Sequence, residues 1–269
     1  MDQINLQGVK RVLAIASGKG GVGKTTVTVN LALAFQQQGY KVGIFDADIY
    51  GPNVPIILGI HRREKGDGYA SIARRKESLP YIKPIRRFGL TLMSTGLLVA
   101  EDQIINPARS SNVAGQFSVQ TLKDVIWEEL DILLLDLPPS AGQPQADLLK
   151  FAPINGAVIV TTPQDLSLLD ASRSLQLFQE NEIPIFGLVE NMSYFICPNC
   201  DEKHEIFQRP KKWRPPALES SEILGHLPMM TSLSTVITPN NPLVSGNLDS
   251  IHAKAFLEIT AVLEEQLKV

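Results

Sequence analysis

The chain has 269 residues, of which 44% are hydrophobic and 20% are charged, and its formal net charge is −3. This composition supplies enough apolar side chains for one substantial core, so we expect residues 1–269 to form a single domain. The slightly acidic charge argues against general binding to nucleic acid. The sequence shows neither an apolar run of roughly eighteen residues nor a secretory signal pattern, so we expect a cytoplasmic location and no membrane association.

The first predicted element is a buried strand at Arg11–Ala16, which leads directly into the glycine-rich run Ser17–Thr26. An apolar-periodic segment at Thr26–Gln38 then predicts a helix. Glycine backbones can adopt conformations that are closed to other residues, so successive N–H groups of this run can point inward around an anion. A strand, a glycine-rich loop and a helix N-terminus in this order predict a phosphate-binding loop rather than a surface turn.

Particular residues of the loop indicate ATP and Mg²⁺ as its ligands. Lys24 is expected to contact the β- and γ-phosphates, and Thr25 to offer its hydroxyl to Mg²⁺. Lys19 is a second lysine in the loop. Its side chain either is free to contact a group outside this phosphate site or is simply solvated. The predicted nucleotide contacts within the loop are Gly18, Lys19, Gly20, Gly21, Val22, Gly23, Lys24, Thr25 and Thr26.

Strand and helix patterns alternate along the rest of the chain. Further strands are predicted at Lys41–Asp46, Leu90–Ser94, Ile132–Asp136, Ala157–Thr161 and Ile185–Glu190. Further helices are predicted at Val113–Leu130, Leu166–Asn181 and His252–Leu267. Several of the strands lack polar alternation, which is typical of parallel strands covered on both faces. The predicted fold class is therefore α/β, a P-loop NTPase with a doubly wound, mostly parallel sheet.

Two strand ends place carboxylates at the sheet edge that carries the loop. Asp48 follows one strand closely, and Asp136 is the last residue of another. We expect Asp136 to orient a water molecule of Mg²⁺, and Asp48 to position the water that attacks the γ-phosphate. The alternative role for either aspartate is to cap a helix or a turn.

Positive charge is concentrated in residues 61–87, which contain nine Lys or Arg and three Asp or Glu. In the simplest interpretation this is a solvated loop region, and in the other it is a surface for a partner or for phosphate groups. A second basic stretch, Arg209–Pro216, is rich in proline and is predicted to be a loop or an insertion.

The chain contains two cysteines, both in the run Cys197-Pro-Asn-Cys200. A [4Fe–4S] cluster and tetrahedral Zn²⁺ both commonly take four protein ligands, and one chain does not supply four thiolates. Two chains related by a two-fold axis do. The alternatives are a zinc knuckle, to which His204 is close enough in sequence to add a third ligand, and a free dithiol. A lasting disulfide is not expected in the reducing cytosol.

Lys19 and four further runs carry a resemblance to a known family. The runs are Asp46–Asn53, Asp136–Pro139, Val160–Asp165 and Glu190–Cys200. A lysine just after the first glycine of the loop resembles the deviant P-loop ATPases, which include the nitrogenase iron protein and the septum-site and plasmid-partition ATPases. Within that group, the four runs together resemble the Mrp/ApbC iron–sulfur cluster carriers, over a span from about Arg11 to Cys200.

The resemblance implies a homodimer in which Lys19 reaches the nucleotide of the facing subunit, and a cluster of the [4Fe–4S] type. Apoprotein clients and cluster scaffold proteins are the implied partners. The implied site residues are Lys19, Lys24 and Asp48 for ATP hydrolysis, Asn191 for the adenine edge, Thr25 and Asp136 for Mg²⁺, and Cys197 and Cys200 for the cluster.

The chain also departs from the family pattern. Ser140–Gln143 stands where the family has glycine-threonine-glycine-aspartate, which removes a hydroxyl and a carboxylate from the switch that senses the γ-phosphate. We therefore expect ATP hydrolysis to be slow. Asn106–Ser111, Leu227–Met230 and the region around residues 209–214 also differ, and these differences affect nucleotide contacts outside the loop and the fit of clients.

Together these features predict an ATP-dependent carrier that transfers an iron–sulfur cluster to apoproteins. The second hypothesis is a partition- or positioning-type ATPase that acts through DNA or protein partners. In that hypothesis the basic 61–87 region is the binding surface, and the cysteines form a structural zinc knuckle.

Overall fold

The computed structural model describes residues 3–60, 71–73, 81–98, 107–139, 142–200, 202–207, 214–229 and 248–269. Parts of the sequence-based expectations lie outside these residues. They are most of the basic region 61–87, most of the stretch 209–216, and the four residues Asn106, Ser140, Ala141 and Met230, at which the chain departs from the family pattern.

Two β-sheets are present in the described part of the chain, and the larger one is mostly parallel. The strands in chain order are β1 (Val9–Ser17), β2 (Val42–Asp46), β3 (Ser71–Ala73), β4 (Tyr81–Lys83), β5 (Ile85–Arg87), β6 (Leu90–Ser94), β7 (Leu130–Asp136), β8 (Gly156–Thr161), β9 (Ile185–Ile196), β10 (Lys203–His204) and β11 (Ile223–Met229). The large sheet has the order β10-β9-β8-β1-β7-β2-β6-β5, with β11 also paired to β9. Strands β5 and β10 are antiparallel to their neighbours. Strands β3 and β4 form the second sheet, and Ile82 of β4 also forms an isolated bridge with Val125.

Helices cover both faces of the large sheet. They are α1 (Lys24–Gln37), α2 (Val54–Ile57), α3 (Pro107–Asp124), α4 (Gln143–Phe151), α5 (Asp165–Glu180), α6 (Pro216–Glu219) and α7 (Ile251–Leu267). Helix α7 contacts α1 and β11, whereas α5 contacts β8 and α6. Val158 and Ile159 are adjacent in β8 but belong to two different apolar clusters, as expected when successive side chains of a strand point to opposite faces. The predicted fold class is therefore confirmed.

The predicted helix at Val113–Leu130 is wrong in its bounds, because α3 begins at Pro107 and ends at Asp124. Residues after α3 are held by tertiary contacts instead. The Trp127 ring is buried edge-on against Phe45, and its indole N–H donates to the Leu122 carbonyl at 3.1 Å. Glu128 then has a φ of +58°, in the left-handed region that ends regular structure before β7 begins.

Strand β9 is twice as long as the predicted strand at Ile185–Glu190. Up to Glu190 it pairs with β8. Beyond that point it leaves β8, pairs with β11 through Tyr194 and Phe195, and pairs with the short antiparallel strand β10 at its end. The extension therefore depends on β11, which is distant in the sequence, and on the hairpin partner β10. It carries the run that contains Asn191 and ends one residue before Cys197.

None of the described helices is long and apolar enough to cross a membrane.

Candidate functional site

The glycine-rich loop between β1 and α1 lies at the edge where the parallel strands end. Gly21 and Gly23 have φ of +82° and +86°, in the left-handed region that glycine adopts without strain. Gly23 is the N-cap of α1, and α1 has neither a side-chain cap nor an acidic residue in its first turn. The N–H groups of that turn are therefore available to an anion, so this loop fits a phosphate group.

One buried carboxylate holds both residues that the sequence assigns to phosphate and Mg²⁺. The Lys24 ammonium donates to Asp136 Oδ1 at 2.7 Å, and the Thr25 hydroxyl donates to Asp136 Oδ2 at 2.9 Å. Thr28, one helical turn further along α1, also donates to Asp136 Oδ1, at 2.7 Å. Lys24 is 6% exposed and Asp136 is 0% exposed, so the ion pair is shielded from water.

This arrangement means that nucleotide binding would exchange ion-pair partners. Lys24 has to leave Asp136 in order to reach a phosphate, and a buried carboxylate left alone is costly. A divalent cation beside Thr25 would supply the positive charge that Asp136 then needs. The hydroxyl and carboxylate oxygens of these two residues are hard ligands of the kind that Mg²⁺ prefers.

Asp46 and Asp48 stand at the end of β2, next to the Lys24–Asp136 pair. Asp46 lies opposite Asp136 in the β2–β7 register and accepts a hydrogen bond from the Ser94 hydroxyl at 3.0 Å. Burial raises the pKa of Asp46 well above its ordinary value, and the neighbouring Asp136 carboxylate raises it further. Burial also raises the pKa of Asp48, while the nearby Lys24 charge opposes that shift. Asp48 is therefore within electrostatic reach of the loop.

Asp48 also has a local structural contact, because its Oδ1 accepts a hydrogen bond from the Gly51 N–H at 3.1 Å. The alternative that the sequence left open, a turn-capping role, is therefore present in the geometry. It does not exclude a role in positioning water, since a carboxylate has lone pairs on two oxygens.

Asn191 joins β9 to the phosphate-binding loop. Its Nδ2 donates to the Val22 carbonyl at 2.9 Å, and a Cβ built on Gly23 would lie 2.3 Å from the same atom. The next residue, Met192, has a φ of +56°, and the pairing of β9 with β11 is irregular here. The bend turns Asn191 towards the loop. Its predicted contact with the adenine edge stays a prediction.

Lys19, in the first half of the loop, is half-buried. Among the residues that the structure describes, its ammonium has no ion-pair or hydrogen-bond partner. Its position is fixed through its backbone, because the Ser17 hydroxyl donates to the Lys19 carbonyl at 3.0 Å.

The two cysteines lie in the turn of the β9–β10 hairpin. Phe195 and Ile196 pair with His204 and Lys203, and the Cys197 N–H donates to the Glu202 carbonyl at 3.0 Å. Cys197 is half-buried and Cys200 is exposed. Within the described ranges, no group of three or more His, Cys, Asp or Glu side chains is arranged to hold a metal ion.

The structure therefore brings together Lys24, Thr25, Asp48 and Asp136, and it separates them from the cysteines, which lie at the far end of β9. Sequence reasoning missed Thr28 and Ser94, and it gave Asp46 no role. A signal for Thr28 was present, because it is four residues after Lys24 and so lies on the same face of α1. Ser94 ends β6, next to Asp46 in the sheet, which only the strand order reveals.

The loop, the Lys24–Asp136 pair and the doubly wound sheet define a P-loop NTPase. A family model described as the NUBPL iron-transfer P-loop NTPase, of the ParA group, matches residues 8–264. The chain belongs to this family. The resemblance to the Mrp/ApbC carriers is confirmed, because relatives named iron–sulfur cluster carrier protein match nearly the whole chain. The relative from Aquifex aeolicus is 38% identical over 264 residues, covering 96% of this chain and 68% of its own length.

Further relatives agree with this assignment. A protein of Arabidopsis thaliana, named iron–sulfur protein required for NADH dehydrogenase, mitochondrial, is 37% identical and is covered over 82% of its length, against 99% of this chain. Among solved structures, a nucleotide-binding protein of Archaeoglobus fulgidus in complex with ADP has a TM-score of 0.67 and 31% identity, covering 94% of this chain and 89% of its own. The Pyrococcus furiosus cell division ATPase MinD, with a TM-score of 0.62 and 21% identity over 95% of this chain and 98% of its own, shares the fold.

Proposed function

We propose that this protein binds MgATP and carries a [4Fe–4S] cluster, held between two copies of the chain, to apoproteins. ATP binding controls the association of the two copies, and hydrolysis is slow. The proposal joins the two regions of the site, the buried phosphate-binding loop and the exposed cysteine hairpin.

The nucleotide half of the proposal is supported by the loop geometry. The uncapped start of α1 and the left-handed glycines offer N–H groups to the phosphates, and Lys24 supplies a charge once it leaves Asp136. Thr25 would bind Mg²⁺ through its hydroxyl and Asp136 would orient a water molecule of the ion, which would neutralise phosphate charge. Asp48 positions the attacking water, Lys19 extends to the nucleotide of the facing copy, and Asn191 contacts the adenine edge.

The cluster half depends on one observation above all. The chain has two cysteines, they share an exposed hairpin turn, and the described residues assemble no third metal ligand around them. Four thiolates therefore require two chains, and a two-fold axis through the hairpin turns supplies them. Relatives named iron–sulfur cluster carriers, at 37–38% identity, favour a cluster over zinc as the occupant.

Slow hydrolysis is supported by the start of α4. Gln143 is the first residue of that helix, whereas the family has an aspartate at this position of the switch. An amide lacks the basicity of a carboxylate, so this helix start contributes no general base.

Anaerobic reconstitution with iron and sulfide tests the proposal. We expect a brown protein with about four iron atoms per two chains and the mass of a dimer in the presence of MgATP. A colourless monomer that keeps one zinc ion would establish the knuckle instead. A protein that takes up no iron, and that binds DNA in a strongly salt-dependent way, would be a partition-type ATPase.

A further inference from the structure

A cavity of about 620 Å³ borders the cysteine hairpin. Its volume is typical of small-molecule pockets, which measure roughly 300–1,000 Å³. Its lining includes Glu190, Lys203, Glu205, Phe207, Arg214 and His226, and we call it the hairpin cavity. Lys203 pairs with Ile196, the residue before Cys197. The cavity therefore lies one residue pair from the turn that carries both thiols.

The hairpin cavity is separate from the predicted adenine contact. Leu188 of β9 belongs to the apolar cluster of Leu168 in α5. Glu190, two residues further along β9, lies on the same face of the strand and lines the cavity. Asn191 is the next residue and points to the other face, where it donates to the phosphate-binding loop. The cavity is therefore a different site from the predicted nucleotide site.

Three charged side chains of the cavity have no ion-pair partner within the described ranges. Two are cations, Lys203 and Arg214, and the third is the anion Glu205. The Lys203 ammonium lies 3.9 Å from the centroid of the Tyr194 ring, a cation–π contact that positions it. Phe207 adds an apolar wall. These groups favour a ligand with two carboxylates, one ammonium and a short carbon chain over a phosphate group, which Glu205 would repel.

The cavity also contains an oriented imidazole. His226 Nδ1 lies 3.0 Å from Glu190 Oε2, and the Ser193 hydroxyl donates to the Glu190 carbonyl at 2.6 Å. An ionised carboxylate only accepts hydrogen bonds, so Nδ1 of His226 carries the hydrogen and Nε2 is left as an acceptor. Such a base is useful to a ligand that gives up a proton. A small thiol is one, because it is mostly protonated at neutral pH and binds metal as the thiolate.

We propose that the hairpin cavity binds a short peptide thiol with two carboxylates and one ammonium, and that its sulfur replaces a cysteine sulfur on the cluster during release. The carboxylates bind Lys203 and Arg214, and the ammonium binds Glu205. His226 takes the thiol proton, and an iron–sulfur bond to the ligand forms as one to a cysteine breaks. The proton then passes to the departing cysteine thiolate, and no electron is transferred. This inference rests on the proposed function, which supplies the cluster.

The length of such a ligand fits the hairpin. Opposite Cα atoms of an antiparallel pair are about 5 Å apart, and Cys197 is one residue, about 3.8 Å, beyond the partner of Lys203. A tripeptide spans at most about 10 Å. A ligand held at Lys203 by a carboxylate is therefore long enough to bring a thiol to the turn.

Calorimetric titration with glutathione measures the binding step without a cluster. The Cys197→Ser/Cys200→Ser chain is used, so that no disulfide forms with the ligand. Lys203→Glu should raise the dissociation constant roughly 10- to 100-fold, the contribution of one hydrogen bond to a charged group. Lys150→Glu is the matched control, because Lys150 is also exposed and lies over an aromatic ring, 5.3 Å from the centroid of Phe151, but belongs to α4. It should leave the dissociation constant unchanged.

Two related compounds test which groups the cavity recognises. S-methylglutathione should bind as tightly as glutathione, because it keeps the carboxylates and the ammonium. Mercaptoethanol, a neutral thiol, should not bind. Failure of glutathione to bind the parent chain, or equal weakening by both lysine variants, overturns the inference. If Lys203→Glu lowers the melting temperature, Lys203→Gln replaces it.

Cluster release tests the exchange step. The reconstituted protein is mixed with an iron chelator and one of the three compounds, and the loss of cluster absorbance is timed. We expect glutathione to speed this loss about 100-fold relative to mercaptoethanol, a typical contribution of a general base. S-methylglutathione should have no effect, because its sulfur cannot become a thiolate. His226→Gln should keep the affinity for glutathione and lose the acceleration.

The outcomes separate the exchange step from the proposed function. Acceleration by S-methylglutathione, or an unchanged rate in His226→Gln, would contradict the exchange step. A wild type that takes up iron but does not bind glutathione overturns the inference and leaves the proposed function standing. A wild type that binds glutathione but takes up no iron overturns the proposed function and the exchange step with it.

Discussion

The phosphate-binding loop and the cysteine hairpin are built in opposite ways. The loop site is buried, and its key carboxylate already has three donors from Lys24, Thr25 and Thr28. The hairpin turn is exposed at the end of an extended strand, and its two thiols find no third metal ligand in the described part of the chain. The carboxylate of the first site has its partners within one chain, whereas in the proposed function the second site is completed by another chain. Substitutions in the two regions should therefore fail in different ways.

The largest expected effect is at the hairpin. Cys200→Ser removes two of four thiolates in the proposed dimer, so reconstitution should give a protein with essentially no bound iron. Because Cys200 is exposed, the melting temperature and the ATP affinity should not change. Iron content, thermal melting and nucleotide titration measure the three quantities. Retention of half the iron would contradict a cluster shared between two chains.

Lys24→Ala should damage both stability and binding. It leaves Asp136 buried without its cation, which should lower the free energy of unfolding by about 3–5 kcal/mol. It also removes the phosphate contact, so most of the MgATP affinity should be lost. Lys19→Ala is the control, because Lys19 has no side-chain ion pair within the described residues and its loss should leave the melting temperature unchanged. Equal destabilisation by both variants would show that the buried Lys24–Asp136 ion pair contributes no more to stability than Lys19 does.

Asp48→Asn separates binding from hydrolysis. The amide keeps the hydrogen bond to the Gly51 N–H, so ATP should bind normally, while turnover should fall by about 10²-fold, a typical contribution of a general base. Single-turnover hydrolysis and analogue binding are the measurements. Unchanged turnover would leave Asp48 with only its turn contact.

The pKa of Asp48 adds a pH signature to the same variant. Burial raises this pKa above its ordinary value, and the base acts only when ionised. Wild-type turnover should therefore fall as the pH is lowered through the raised pKa, at a higher pH than for a solvated aspartate. The residual turnover of Asp48→Asn should not show this decrease at low pH. If turnover depended on pH in the same way in both proteins, the decrease at low pH would belong to another group.

The smallest expected effect is at Thr28. Thr28→Val keeps the shape of the side chain but removes one donor to Asp136, and a hydrogen bond to a charged group contributes about 1.5–3 kcal/mol. We expect the Mg²⁺ concentration needed for half-maximal analogue binding to change by roughly 10-fold. Thr28→Ser should restore the wild-type value, since it restores the hydroxyl. A merely structural role would lower the melting temperature without moving the Mg²⁺ dependence.

The position of the loop between a strand and a helix could be predicted from the sequence because its information is local. The glycines, Lys24 and Thr25 are contiguous, and Asp136 is marked by the apolar strand before it. The sequence did not predict that Thr28 and Ser94 support the carboxylates, because these contacts depend on the order of strands in the sheet. The bounds of α3 were missed for a similar reason. Its polar first turn shows no apolar periodicity, and its end is determined by the packing of Trp127 on Phe45.

The length of β9 has a mechanical consequence. Asn191, which touches the phosphate-binding loop, and Cys197 are six residues apart on one extended segment. At about 3.3 Å per residue the segment spans roughly 20 Å. If the hairpin tilted together with the end of β11, to which Tyr194 and Phe195 are paired, the segment would act as a lever with its pivot at the bend of Met192. A rotation of about 10° at the pivot would move the thiols by roughly 3 Å, which exceeds a metal–sulfur bond of about 2.3 Å. A tilt of that size would therefore be large enough to open the coordination shell of a cluster held at the hairpin.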